Sequence, residues 1–354
     1  MIQSRNSTGE LMRVSVLVVS RTPGLLSRML TSLASATGLN NTELEILCSW
    51  NGSEADEQAI ENRSGYELLI AQREPYHFAA NMNALAERAN GELLLLINDD
   101  VELDAGSLDA ALEALQTFPN AGLIGARLRD GDGLLTHAGI LFDRRHSPYH
   151  QLDRLIGSEH AAVLGPARTV PAVTGALMLL RREHFQQLRF ATDYRVCGED
   201  VELCLDLRER FGLEVVLAPA FSGLHGGETT RSQRDGQQGN SEDLSRMRAR
   251  HCRFLESASK GQLQVEFQAS VAEADVLRSL EAHRRQESAQ ISALLAELQR
   301  RDRPAELTAE IETKQRLLVQ QLREELQHWQ QQSHALQLSR LKLEQELKHA
   351  RRGA

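Results

Sequence analysis

Aromatic residues make up only 4% of this 354-residue chain. No apolar run is long enough to matter for a membrane. The stretch Val14 to Val19 is far too short for a membrane span or the core of a signal peptide. There is no basic excess: 40 basic residues face 49 acidic ones, a net charge of −9. Residues 256–354 contain 15 of each sign, so the surplus acid lies in residues 1–255. With no basic patch, a nucleic-acid partner is not expected. The four cysteines (Cys48, Cys197, Cys204, Cys252) form no CxxC pair, which disfavours a disulfide scaffold and fits a reducing compartment. The expected location is cytoplasmic, with a peripheral position at the inner face of a membrane left open. Glycine is absent between Gly261 and Gly353, and Pro304 is the only proline in that stretch.

What is present changes character near residue 255. Residues 262–350 are rich in Gln, Glu, Leu, Arg and Ala, a composition that favours long helices. Leu322, Trp329, Leu336 and Leu343 recur every seven residues. Val319, Leu326 and Leu347 fit the partner seam, which Ser333 and Arg340 interrupt. Upstream, Leu277, Leu280, Ile291, Leu294 and Leu298 fit another seam, with Arg284 and Glu287 inside it. Two helices forming a coiled coil are predicted, able to self-associate or bind a helical protein partner through residues 262–350. The alternative is helices packed back on the globular domain. The predicted division is a globular domain over 1–255 and a helical coiled-coil tail over 256–354, broken near Pro304.

Residues 1–255 alternate strand and helix patterns. "RVSVLVVS" (13–20), "LEILCSW" (44–50), "ELLIAQ" (67–72) and "ELLLLIND" (92–99) read as strands. "GLLSRMLTSLASAT" (24–37) and "AANMNALAERA" (79–89) read as helices. The predicted class is α/β, a mixed, mostly parallel sheet flanked by helices. Ligands of such sheets bind at the carboxyl ends of the strands, which places Ser20, Arg21, Asn51, Asp99 and Asp100 on one rim.

Adjacent carboxylates at a strand end repel each other. A hard divalent cation such as Mn²⁺ or Mg²⁺ is one reason for them to coexist, since it takes oxygen ligands and keeps positions open for phosphate. A solvated turn is the other, because Asn and Asp both favour turns. Glu199 and Asp200 open a helix whose apolar face includes Val201, Leu203, Cys204, Leu205 and Leu207. They are either caps favoured by the helix dipole or a general base aimed into a cleft. His225 follows a short strand among Gly223, Gly226 and Gly227, which makes it a ligand candidate. Thr174-Gly175-Ala176 precedes an apolar strand and allows close backbone approach.

In their order these segments resemble a family 2 glycosyltransferase with the Rossmann-like GT-A fold. "SVLVVSRTPGLLSRMLTSL" resembles its first strand and helix, and "PYHFAANMNALAERANGELLLLINDDVEL" the stretch ending in its DxD-type metal motif. "DGDGLLTHAG" and "VTGALMLLRREHF" look like acceptor-side segments, "GEDVELCLDLRERFG" is similar to its "ED" motif, and "AFSGLHGGETTR" to its closing His segment. The resemblance covers about residues 13–232. It implies that Asp100 and His225 hold the divalent cation and that Asp99 contacts the donor sugar or ribose. Asp200 would be the general base and Glu199 would position the acceptor. Ser20, Arg21 and the Asn51 turn would hold the nucleoside, with Asn83 on the donor side. Trp50 stands where the family usually has an Asp that contacts the base.

The resemblance therefore implies an inverting, metal-dependent transfer of a hexosyl or rhamnosyl unit. The donor would be a nucleotide-sugar, and the acceptor a glycan or lipid-linked glycan in surface polysaccharide biosynthesis. Two rivals remain. One is a degenerate sugar-binding domain serving as a coiled-coil scaffold, against which the intact Asp100, Asp200 and His225 speak. The other is a nucleotidyltransferase, against which the "ED" helix and distal His speak.

Overall fold

The computed structural model describes residues 13–157, 165–226, 236–300 and 311–329, with single positions at 331 and 342. The chain divides into two compact units, Met1–Glu266 and Phe267–Ala354.

The first unit opens with β1 (Val14–Ser20), α1 (Pro23–Ala36), β2 (Leu44–Trp50), α2 (Glu54–Glu57), β3 (Leu68–Gln72), α3 (Phe78–Arg88) and β4 (Leu93–Asn98). Next come β5 (Val101–Leu103), α4 (Ser107–Thr117), β6 (Ala121–Arg129), β7 (Leu135–His137), β8 (Ile140–Phe142), β9 (Pro148–His150) and β10 (Arg168–Thr169). They are followed by β11 (Leu177–Arg181), α5 (Arg182–Leu188), α6 (Glu199–Phe211), β12 (Glu214–His225), α7 (Gly236–Ser257) and α8 (Lys260–Arg300), of which the residues after Glu266 belong to the second unit.

The strands form where apolar, β-branched residues run continuously. β1 is buried at every position, as a strand covered on both faces requires. α1 starts at Pro23, whose fixed φ suits a first helical turn. Its Leu25, Leu26, Met29, Leu30, Leu33 and Ala36 recur every three or four residues and are buried.

The sheet runs β10-β12-β6-β11-β4-β1-β2-β3. β4, β1, β2 and β3 pair in parallel, as do β6 and β12, while β11 lies antiparallel between β4 and β6. This is the mixed, mostly parallel sheet expected. The parallel register brings Ser20 beside Trp50 and Val19 beside Asn98 at one rim. β11 starts at that rim, where Asn98 N–H donates to Ala176 O at 2.9 Å. Three strand ends and one strand start thus converge where the rule for open α/β sheets puts a ligand.

α6 is held from behind by a buried ion pair. Arg208 Nη1 donates to Glu266 Oε1 at 2.7 Å, and both side chains are at most 4% exposed. The same nitrogen donates to Pro171 O at 2.9 Å, and the guanidinium stands 4.6 Å from the Phe254 ring centre. Burial alone would raise the pKa of Glu266. The Arg208 charge and His251 outweigh it, so the carboxyl lies below its ordinary 4.5. A depressed carboxylate contributes stability above its unfolded pKa and loses it as pH falls through the folded value. Arg208→Ala removes the guanidinium that faces the buried Glu266 carboxylate and is expected to cost about 3–5 kcal/mol in denaturant unfolding at neutral pH. That difference should shrink as pH falls below the ordinary 4.5. A chain ending at residue 255 lacks Glu266 and should suffer the same loss.

In the second unit, residues 311–329 are helical. Arg284 Nη1 pairs with Glu325 Oε2 at 2.7 Å, and its guanidinium lies 5.3 Å from the Trp329 ring centre. Trp329 is buried and Val319, Leu322 and Leu326 are half-buried, whereas Leu294, Leu317 and Leu318 are exposed. Pro304, Ser333, Leu336, Arg340, Leu343 and Leu347 lie outside the described residues, and the second half of the predicted seam with them.

Candidate active site

The carboxylates of "INDDV" stand at the rim, and neither is a solvated turn. Asp99 is 4% exposed and Asp100 9%. Ser20 Oγ donates to Asp99 Oδ2 at 2.7 Å, tying the end of β1 to the end of β4. Burial pushes the Asp99 carboxyl up to about 6; the Ser20 hydrogen bond opposes this and the Asp100 charge adds to it.

Asp100 is met by His225 from the far end of the chain. β12 pairs antiparallel with β5 so that His225 lies opposite Val101. Gly226 N–H then donates to Asp100 O at 2.9 Å. The outcome is His225 Nε2 at 3.3 Å from Asp100 Oδ1. Two donor atoms in neighbouring positions around a cation at about 2.1–2.3 Å stand about 3.0–3.2 Å apart, so this pair fits a common cation. Among the described residues no group of three or more His, Cys, Asp or Glu gathers to complete an all-protein cage. A hard cation held by only two protein groups keeps its other positions for further oxygen ligands.

Asp200 approaches from the other wall. Its Oδ2 accepts from Gly175 N–H at 2.8 Å and its Oδ1 from Val201 N–H at 2.8 Å. A Cβ at Gly175 would lie 3.2 Å from the Asp200 Cβ, so glycine is what lets the start of β11 come this close. Gly198, with φ of +124°, turns the backbone into α6 and puts Glu199 and Asp200 at its first two positions. The turn is clamped from α7. Asp243, 2% exposed, accepts from the backbone N–H groups of Arg195, Val196 and Cys197 at 3.1, 2.6 and 3.1 Å. Asp243→Ala strands three donors and is expected to lower stability by on the order of 3 kcal/mol, read in a denaturant titration. Asp243→Asn, which keeps an acceptor oxygen, should lose less.

Val19, Asp99, Asp100, Thr174, Glu199, Asp200 and His225 line one cleft of about 450 Å³, which Leu244 and Met247 of α7 help to wall. The Arg21 guanidinium lies 5.9 Å from the ring centre of Tyr76, another wall residue. Asn51 N–H donates to Ser20 O at 2.7 Å, its Nδ2 donates to Glu74 O, and its Oδ1 is buried without a partner. Trp50 does not reach into the cleft. Its ring is buried under Gly52 and its Nε1 donates to Ser53 O at 3.0 Å. Asn83 stands apart from the cleft. Its amide donates to Phe190 O and accepts from Phe190 N–H, both at 2.9 Å, so its visible work is to hold the turn after α5. The polar residue that braces the β2 end is its neighbour Asn81, whose Nδ2 donates to Ser49 Oγ at 2.9 Å.

Sequence patterns gave no sign of His150, which lines the cleft, or of Asp243. The first is a lone His in a three-residue strand and the second an ordinary helix acid.

The fold is of the GT-A type. It is similar to that of a mannosyltransferase from Pyrobaculum calidifontis in complex with GDP-Man and Mn²⁺, at a TM-score of 0.52 and 16% identity, over 93% of this chain and 87% of that one. Residues 16–189 match the family model described as glycosyl transferase family 2. Asp99 and Asp100 lie inside it; Asp200 and His225 lie beyond it. The chain is 31% identical to an O-antigen biosynthesis protein of Myxococcus xanthus over 60% of its own length but only 17% of that protein's. It is 28% identical to an N-acetylglucosaminyl-diphospho-decaprenol L-rhamnosyltransferase of Mycobacterium tuberculosis, over 59% of this chain and 75% of that one. Among the described residues, no helix is long and apolar enough to cross a membrane.

Proposed function

We propose that the chain is an inverting, metal-dependent glycosyltransferase. It moves a sugar from a nucleotide-sugar donor to the hydroxyl of a glycan or lipid-linked glycan in surface polysaccharide biosynthesis. The observation that carries this is the meeting of Asp100, His225 and Asp200 on one cleft, from segments far apart in sequence. The names of the Myxococcus and Mycobacterium relatives support the polysaccharide context, and the latter supports rhamnose as the sugar to test first.

Asp100 and His225 would hold a Mn²⁺ or Mg²⁺ ion, which supplies charge to offset the diphosphate leaving group. Asp99, anchored by Ser20, would contact the donor sugar or ribose. Arg21 and the Asn51 turn would hold the nucleoside. The Asn51 carbonyl oxygen, buried and unpaired, suits a nucleobase N–H. Asp200 would take the proton of the acceptor hydroxyl as its oxygen bonds to the anomeric carbon and the bond from that carbon to the phosphate oxygen breaks. With base and leaving group on opposite faces of the sugar, the anomeric centre inverts. Glu199, beside the base, would orient the acceptor. Such chemistry suits the cytoplasm, with the chain peripheral to the inner face of the membrane when its acceptor is lipid-linked. Residues 262–350 would mediate self-association or bind a helical partner.

Proton NMR of the product formed from a nucleotide-sugar of known anomeric configuration tests the stereochemistry. The opposite configuration is expected, and retention would rule out Asp200 acting as base in a single displacement.

A further inference from the structure

Three polar contacts join α6 to the backbone of residues 171–175 at regular steps. Gly175 N–H donates to Asp200 Oδ2 at 2.8 Å. The Cys204 thiol donates to Val173 O at 3.8 Å. Arg208 Nη1 donates to Pro171 O at 2.9 Å. Residues 200, 204 and 208 follow one helix face, one per turn, while 175, 173 and 171 are every second residue of the segment. The steps match: four helical residues rise about 6.0 Å and two extended residues about 6.6 Å.

The other side of the segment is fixed to the sheet and to β8. Val170 N–H donates to Val215 O at 2.9 Å, and Ile140 N–H donates to Ala172 O at 2.7 Å. This two-sided alternation is that of a strand. The ladder of three contacts therefore sets the place of α6 against a held backbone. We propose that Arg208, braced by Glu266, is a positioning residue for transfer: it fixes the register of α6 on residues 171–175 and so the place of Asp200. This rests on the function proposed above, with Asp200 as the base.

The rung farthest from the cleft is the firm one. Besides Pro171 O, Arg208 Nη1 donates to Glu266 Oε1 at 2.7 Å, and Nη2 donates to Gln262 O at 3.2 Å. Gln262 Nε2 returns a bond to Arg208 O at 2.6 Å. Well-packed apolar side chains would fill this spot at little or no loss of stability, because a buried ion pair scarcely outweighs its own desolvation. What the planar, forked guanidinium adds is direction: it holds α6, residue 171 and the start of α8 in one alignment. Cys204 is the weak middle rung. Burial pushes its thiol up to about 12, so it stays protonated and keeps its S–H to donate. Asp200 is the rung at the cleft, where a displacement of about 1 Å can cost about 10²-fold in rate.

The test is the double variant Arg208→Met, Glu266→Met, which removes both charges together and leaves neither unpaired. Arg208→Lys, which keeps the charge but not the fork, is measured beside it. Two readouts are taken on the full chain well below Tm. The first needs no substrate: hydrogen exchange at the Gly175 amide should quicken about tenfold or more in both variants. The second is turnover of a nucleotide-sugar, dTDP-rhamnose first. There kcat should fall about tenfold or more while Mn²⁺-dependent binding of dTDP stays unchanged. In an Asp200→Asn background the same substitutions should lower kcat no further, because they act through the base. Unchanged Gly175 exchange, unchanged kcat, or a fall in kcat that persists in the Asp200→Asn background would overturn the proposal. Normal turnover by Asp200→Asn alone would instead overturn the functional reading beneath it.

Discussion

Asp200→Asn is expected to lower kcat by ~10²–10⁴-fold, the usual contribution of a general base, while donor Kd stays near the wild-type value. The side chain keeps its shape but cannot take a proton. Its surroundings make the comparison informative. Both oxygens of Asp200 accept backbone N–H groups, one from Gly175 and one from Val201. An amide can keep one of these bonds and loses the other, so a fall in stability on the order of 1–3 kcal/mol accompanies the change. A purely structural Asp200 would show that loss of Tm with nearly normal turnover below it. A base shows the fall in kcat at temperatures far below Tm. Near-normal kcat would move the role to Glu199, the carboxylate beside it on the cleft wall.

The second large effect is expected at Asp100. Asp100→Ala removes half of the Asp100–His225 pair and should abolish both transfer and metal-dependent binding of the nucleotide. EDTA should do the same to the wild type, and Mn²⁺ or Mg²⁺ should restore it. His225→Ala tests the other half and should weaken Mn²⁺-dependent binding of a nucleoside diphosphate without preventing folding, since His225 is only half-buried near a strand end. Full transfer in EDTA would leave Asp99 and Asp100 as structural groups that cap β4 through Ser20 and Gly226.

Much of the β1–β4 half of the sheet was legible in the chain. The runs "RVSVLVVS" and "ELLLLIND" are continuous apolar stretches of strand length, and β1 and β4 appear within a residue or two of them. Their parallel pairing then fixed Ser20 and Asp99 on one rim, because register in a buried strand leaves no freedom. The half from β5 onward was less legible. His225 finds Asp100 only because the short strand β5 pairs antiparallel with the end of β12, and three residues of strand carry almost no periodic signal. The Asp243 clamp joins α7 to the turn before α6 across 46 to 48 residues, and nothing local marks a helix acid as the acceptor of three backbone donors. Asn83 and Asn81 lie on the same helix two positions apart, and only packing decides which faces β2 and which faces Phe190. The tail showed the opposite balance. Its helices are plain in composition, while the pairing of Arg284 with Glu325, 41 residues apart, has no local signal.

We propose Asp100, His225 and Asp200 as a metal-dependent sugar-transfer site. It is tested most directly by incubating the purified chain with a panel of nucleotide-sugars, dTDP-rhamnose among them, and measuring release of nucleoside diphosphate with Mn²⁺, with Mg²⁺ and with EDTA. Release from at least one donor in the presence of metal, lost in EDTA and lost in Asp100→Ala, is the predicted result. Release from no donor, or equal release in EDTA, would contradict it.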